Sequence, residues 1–280
     1  MENSETPIFS QKEKIRRVAG DLEVTDIVPE TLKDEVPIVV LPGWGETPAT
    51  HKDTLNTIAS LQRRAIAIKI PRLGGVKAQD GYPRSEYNKA VALIDTLDKK
   101  ELRTVDLIAH SEGAIPAIIA ALNNPERFRA IVFVDPAGLV GKDSTPRLAA
   151  RFAGMLAKDA LRIKKFPADR ENMLRAARET TKYFLANPIR GVKEVNAIAA
   201  ADIYEMLTAL KVHGIKVSVI HGINDSLFPM EKVLKTVDEK GGMDTIGFYS
   251  VKGDHREISV HPEEYTALAV NALEDLSRKT

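Results

Sequence analysis

The stretch Thr104-Val-Asp-Leu-Ile-Ala-His-Ser-Glu-Gly113 decides how this chain is read. An apolar, strand-like run ends at Ala109, and an apolar helix-forming run over residues 114–122 begins directly after Gly113. Between them, Ala109-His110-Ser111-Glu112-Gly113 has the small-x-Ser-x-Gly form of a nucleophile elbow, with Ala in the first small position. A turn this sharp forces the serine into a strained backbone conformation, and bulk two residues before or after it would collide with the neighbouring turn. The turn lifts the Ser111 hydroxyl above the sheet, at a helix N-terminus whose amides favour developing negative charge.

Three other segments end strand-like runs in chemically useful residues. Upstream, Pro37-Ile-Val-Val-Leu-Pro-Gly-Trp-Gly45 reads as a short buried strand followed by a Gly-rich turn. Downstream, Lys216-Val-Ser-Val-Ile-His-Gly-Ile-Asn-Asp225 is a strand, a turn and an acid, and Pro229 opens the helix that follows. Asp225 thus stands just beyond the C-terminal end of a strand, where ligands gather in open α/β sheets. Finally, Thr245-Ile-Gly-Phe-Tyr-Ser-Val251 leads directly into Lys252-Gly-Asp-His255, which makes His255 the candidate general base. His261 precedes Pro262-Glu263-Glu264 and reads as the flank of a helix start.

The order Ser111, Asp225, His255 separates this constellation from the chymotrypsin and subtilisin arrangements. With LPGWG, AHSEG, HGINDSLFP and GDHREISVHPEEY spread over residues 37–265, the chain resembles an α/β-hydrolase-fold serine hydrolase with a helical cap. It departs from the family pattern at Pro42, where His is usual, and at Ala109, where Gly is usual. Neither change removes a catalytic atom. The resemblance implies that the 42–45 loop supplies one oxyanion-hole amide, with Trp44 N–H as candidate donor and Glu112 N–H as the second. Asp135 also ends a strand, and some relatives carry the acid there. Asp225 is preferred because its strand comes next before the histidine strand.

Composition bounds the rest. With 280 residues, 44% hydrophobic and 28% charged, the chain is long enough for one large core with an inserted module. The absence of Cys excludes disulfides, a thiolate nucleophile and Cys-ligated zinc or iron–sulfur centres. The N-terminal residues carry acids first and no apolar segment of the secretory kind, and the run at 114–122 is too short to span a bilayer. A cytoplasmic monomer or homodimer is therefore expected, without an integral membrane segment. Charge is unevenly spread: residues 142–193 hold thirteen Lys and Arg against five Asp and Glu, an excess of eight, so with a net charge of +1 the remainder carries −7.

Strand candidates are 37–41, 64–70, 104–109, 129–134, 215–220 and 245–250, alternating with helix candidates 51–62, 84–99, 112–123, 229–240 and 262–278. The alternation predicts an α/β fold with a doubly wound, mostly parallel sheet. A hairpin is expected near 14–28. The alternation breaks for roughly 70 residues after the strand at 129–134. Three helices are expected there, near 146–165, 169–186 and 191–210. The expected organisation is a core over 1–138, an all-helical cap over 139–212 and the rest of the core over 213–280. Leu148, Phe152, Met155, Leu156 and Ile163 fall at helical spacing, opposite Arg147, Arg151, Lys158, Arg162 and Lys165. A cap inserted here lies over Ser111, making Phe152 and Met155 candidate substrate contacts. Were Arg147, Arg151, Arg162, Arg175 or Arg178 to face the pocket, an anionic substrate would be favoured.

The expected chemistry is two-step acyl transfer on a small-molecule ester-type substrate, without metal or organic cofactor. Lactone, thioester and C–C bond hydrolysis use the same triad. A non-catalytic ligand receptor on the same fold is the alternative from another class. No aromatic interleaving accompanies the basic segment, so a nucleic-acid partner is not expected.

Overall fold

The computed structural model describes residues 23–69, 83–186, 188–241 and 246–278. Among these residues seven strands form one sheet: β1 (Glu23–Ile27), β2 (Asp34–Leu41), β3 (Arg63–Lys69), β4 (Val105–His110), β5 (Phe128–Val134), β6 (Lys216–Gly222) and β7 (Gly247–Val251). Their order is β1-β3-β2-β4-β5-β6-β7. Only β1 runs antiparallel, against β3; every other neighbouring pair is parallel. Parallel strands need helices on both faces, which is why their sequences are continuous apolar runs rather than alternating ones. All six residues of β4 are buried.

The helices are α1 (Lys52–Ser60), α2 (Arg84–Lys99), α3 (Ala114–Asn123), α4 (Thr145–Lys165), α5 (Arg170–Ala186), α6 (Pro188–Ala200), α7 (Tyr204–Val212), α8 (Met230–Lys240), the single turn α9 (Glu257–Val260) and α10 (Pro262–Arg278). Successive strand residues point to opposite faces and build two separate cores. Ile38, Val40, Ile108, Val132 and Ile220 pack with α1 and α10. Val39, Leu107, Ile131 and Val219 pack with α2, α3 and α7. None of the described helices is long and apolar enough to cross a membrane.

One expectation is corrected, and another lies largely outside the described residues. The segment 23–27 pairs antiparallel with β3, and residues 14–22 of the expected hairpin lie outside the described residues. The single helix expected near 191–210 is two helices, α6 and α7, broken at 201–203. There the chain passes against Gly138, whose φ is +88° and whose Cβ, if present, would lie 2.8 Å from Ile203 Cγ2. This close approach turns the chain back, so that α7 packs on α3 and β6 as part of the sheet's own helical layer. Helices α4, α5 and α6 remain as the insertion between β5 and β6, packed on one another.

At the end of the sheet away from the serine, buried charges tie four strands together. Arg63 and Asp106, both essentially inaccessible, meet at 2.7 Å, and Arg129 reaches Asp106 at 2.5 Å and Asp34 at 2.6 Å. These residues lie at the starts of β3, β4, β5 and β2. Removing one member leaves uncompensated charge in a dry place, so Asp106→Ala is expected to lower stability by about 3–5 kcal/mol. Urea unfolding of the two proteins measures this; a loss under about 1 kcal/mol would show the clamp to be inert.

Candidate active site

The strand ends assemble the site. β4 ends at His110, and Ser111 follows at φ +51°, in the left-handed region that a non-glycine residue occupies only under constraint. Residues 111–113 form one tight turn and α3 starts at Ala114. A Cβ on Gly113 would lie 2.8 Å from the carbonyl oxygens of both Leu41 and Pro42, so this position admits only glycine. Ala109 is wholly buried in β4, where its methyl group fits.

Ser111, His255 and Asp225 come together from three loops. His255 Nε2 lies 2.9 Å from Ser111 Oγ, and His255 Nδ1 lies 2.8 Å from Asp225 Oδ2. Asp225 is held by its other oxygen, which accepts the amides of Leu227 at 2.7 Å and Phe228 at 2.8 Å. With Nδ1 donating to the acid, Nε2 is left to accept the serine proton. All three residues are nearly inaccessible. Asp254 stitches the loops by accepting the His255 amide and the Ser226 amide and hydroxyl.

Asp135 occupies a different position. It lies at φ +46° after β5 and accepts the Gly222 amide at 2.7 Å. Burial, with the Asp225 charge beside it, pushes its carboxyl well above the usual carboxylate range. His221 nearby donates from Nε2 to the Phe228 carbonyl, and burial lowers its affinity for a second proton. His261 is bound by Glu257 and Asp169 and takes no part in the Ser111 line.

Glu46 escaped the sequence reading, although it immediately follows the Gly-rich turn. One of its oxygens accepts the Gly43 amide at 2.7 Å, His51 Nε2 at 2.9 Å and His110 Nδ1 at 2.8 Å. His110 Nε2 meets the His255 carbonyl at 2.8 Å. Both His110 nitrogens face acceptors, so both must donate and the ring is an imidazolium. Burial opposes this charge, but the Glu46 carboxylate beside it raises the imidazole above its usual value. Burial likewise opposes ionisation of Glu46, yet the two histidines hold it well below the usual range. Behind the elbow, Glu112 pairs with Lys89 at 2.6 Å, and Lys89 pairs in turn with Glu194 of α6 at 2.9 Å.

Gly43 abuts the serine: a Cβ there would stand 2.9 Å from Ser111 Cβ. Trp44 follows, its ring against Phe152 at 4.4 Å and Phe184 at 5.1 Å. The pocket over Ser111 is lined by Phe152 and Met155, together with Leu148, Thr180, Ile198 and Leu227. Its free space is about 20 Å³, little more than one water molecule needs. The insertion's arginines stay outside it. Arg151 pairs with Asp143, Arg162 with Glu257 and Arg175 with Asp53, while Arg147 and Arg178 are largely exposed. Arg256, which the sequence reading passed over, lines the pocket instead.

Among the described residues, three sets of buried histidines and carboxylates have atoms close enough to share an ion: Glu46, His51 and His110; His110, Asp135 and His255; Asp135, His221 and Asp225. The first two need a lone pair from His110, which has none while both nitrogens donate. The third needs Asp225, whose Oδ1 accepts two backbone amides and whose Oδ2 faces His255 Nδ1, and Asp135, whose Oδ1 accepts the Gly222 amide.

A family model described as the alpha/beta hydrolase family matches residues 38–256. A protein of Mycobacterium phage D29 named as a non-heme haloperoxidase is 25% identical over 259 residues, covering 88% of this chain and 90% of that protein. Among solved structures, a thermophilic esterase from Thermogutta terrifontis superposes with a TM-score of 0.65 at 18% identity, covering 91% and 94% of the two chains. A bromoperoxidase from Bacillus anthracis gives 0.65 at 18%, covering 91% and 95%. An enol-lactonase from Burkholderia xenovorans LB400 gives 0.65 at 13%, covering 90% and 96%.

The Glu46–His110 pair has a pH signature. A carboxyl held low stabilises fully above its ordinary value of 4.5, and an imidazole held high stabilises fully below its ordinary value of 6.5. The stability difference between the protein and its Glu46→Gln variant should therefore be largest between pH 4.5 and 6.5. It should shrink as pH falls and Glu46 protonates, and shrink as pH rises through the raised His110 value. Denaturant unfolding across this range measures it, and a difference independent of pH would rule out the ion pair.

Proposed function

Because the chain belongs to the alpha/beta hydrolase family, we propose that it is a serine hydrolase of carboxylic esters that works through an acyl-enzyme. The neighbours' names span an esterase, a bromoperoxidase and a lactonase, so the fold alone does not choose among chemistries. The observation that carries this reading is the unbroken hydrogen-bonded line Asp225–His255–Ser111 at 2.8 and 2.9 Å. A ligand-binding protein has no use for a strained serine aligned with an oriented base.

In the proposed reaction, His255 Nε2 takes the proton of Ser111 as Oγ attacks the ester carbonyl. The carbonyl oxygen becomes an oxyanion, received by the backbone amides of Trp44 and Glu112. Asp225 holds the imidazole in its tautomer and stabilises the imidazolium. His255 then gives its proton to the departing alkoxide, leaving Ser111 acylated. Water, deprotonated by His255, attacks the acyl group; collapse of the second oxyanion releases the acid and returns the proton to Ser111. No step needs a metal or an organic cofactor.

Helices α4–α6, within the cap proposed over 139–212, act as its cover. Phe152 and Met155 supply the apolar wall on which the substrate rests. Given the small free space above Ser111, short acyl groups or alcohols are favoured, and larger ones require Phe152 and Phe184 to swing aside. The preference for anionic substrates that the basic segment suggested loses that support, because its arginines are paired or exposed outside the pocket. Any such preference needs another source.

Three variants test the roles. A fluorophosphonate should give a single adduct on the protein and none on Ser111→Ala, read as the intact mass. Ester hydrolysis by Asp225→Asn should fall about 10⁴-fold, through loss of the tautomer. Asp135→Asn should fall less than about tenfold, because Asn can accept the same Gly222 amide. An adduct that persists on Ser111→Ala, or a larger loss in Asp135→Asn than in Asp225→Asn, would overturn the assignment. Failure of the unaltered protein to label would favour a receptor.

A further inference from the structure

One charged group in the pocket has an unmet hydrogen bond. Arg256 directly follows His255, and only 7% of the residue is exposed. It lines the same pocket as Ser111 and His255. Its Nη1 donates to Asp159 Oδ2 of α4 at 3.0 Å, which fixes the plane of the guanidinium. Its Nη2 is buried with no acceptor. A buried cationic donor left unpaired is costly, and native structures retain such groups where a ligand completes them. The rest of the lining is largely apolar, so a single polar handle suffices to orient a bound molecule.

The other charged side chains in the lining are already satisfied: Glu46 accepts three N–H groups on one oxygen and faces Ser259 with the other, and His110 donates to Glu46 and to the His255 carbonyl. The complement required of the substrate is thus an acceptor, not a donor. A guanidinium N–H binds an anionic oxygen most strongly and a neutral carbonyl less so.

We propose that Arg256 is a substrate-recognition residue, and that the ester hydrolysed at Ser111 carries a second oxygen acceptor, a carboxylate or ketone, that binds Arg256 Nη2. This rests on the serine-hydrolase reading above. It relocates the preference for acidic esters from the insertion's arginines to one residue beside the base.

The test uses three esters of nearly equal shape: ethyl pentanoate, ethyl 4-oxopentanoate and monoethyl succinate. A parallel set carries the same three end groups on the alcohol side of an acetate. In at least one set, kcat/KM should favour an acceptor-bearing ester over the plain one by about tenfold or more. The stronger of carboxylate and ketone identifies which acceptor the site takes. In Arg256→Met this ratio should fall towards unity. The double variant Arg256→Met, Asp159→Asn, which leaves no buried carboxylate unpaired, should show the same fall. Arg147→Met, altered at an exposed arginine outside the pocket, should keep the ratio. Flat ratios in both sets, or a preference that survives in the Arg256 variants, overturn the proposal. Fluorophosphonate labelling of Ser111 separates the two readings: labelling with flat ratios sinks the role of Arg256 alone, whereas no labelling and no hydrolysis sink the hydrolase reading and this inference with it.

Discussion

A single carboxylate oxygen of Glu46 organises the end of the sheet that carries Ser111. It accepts the amide of Gly43 in the loop after β2, the ring of His51 at the start of α1 and the ring of His110 at the end of β4. His110 carries the connection on to the backbone of His255. Ser111, the Gly43 loop and His255 are thus held from one buried point, although they come from separate regions of the chain. The charge on Glu46 is affordable there only because His110, doubly hydrogen-bonded, supplies a matching positive charge. The strain at Ser111 persists for a related reason: the loop carbonyls of Leu41 and Pro42 press against Gly113 and leave the turn no other course.

The uneven charge of the chain finds its explanation in packing. The basic insertion meets acids of the surrounding fold through Arg162 with Glu257 and Arg175 with Asp53, and Lys89 meets Glu194 in the reverse sense, while Arg151 pairs with Asp143 of the insertion itself. Part of the basic excess thus holds α4–α6 against the sheet domain, while Arg147, Lys158, Arg178 and Lys182 stay largely exposed. In the pocket itself stands Arg256, whose second nitrogen has no partner.

Much of the site was legible because it is built from local constraints. The elbow occupies ten consecutive residues, and its strand, turn and helix must follow one another without a loop, so small residues at fixed offsets betray it. Asp225 and His255 stand just beyond the ends of apolar strand-like runs, and the Pro262-Glu263-Glu264 helix start set His261 apart. Asp135 also ends a strand, and strand order alone preferred Asp225 to it. That Asp135 meets the Gly222 amide instead of His255 depends on two strands lying side by side. The break between α6 and α7 was hidden because Gly138, which imposes it, lies far earlier in the chain.

The sequence by itself determined the mostly parallel sheet, the sharp strand–turn–helix at Ser111 and the run of helices between β5 and β6. Each of these follows from periodicity or from a steric rule acting over a few residues. The tertiary structure decided which buried charges meet: Glu46 with His110, Arg63 and Arg129 with Asp106, the insertion's arginines with the acids beneath them, and Arg256 with only half a partner. Hydrophobic pattern fixes which face of an element is covered. Charge pairing acts over a few ångströms between residues distant along the chain, so it is settled only when the faces come together.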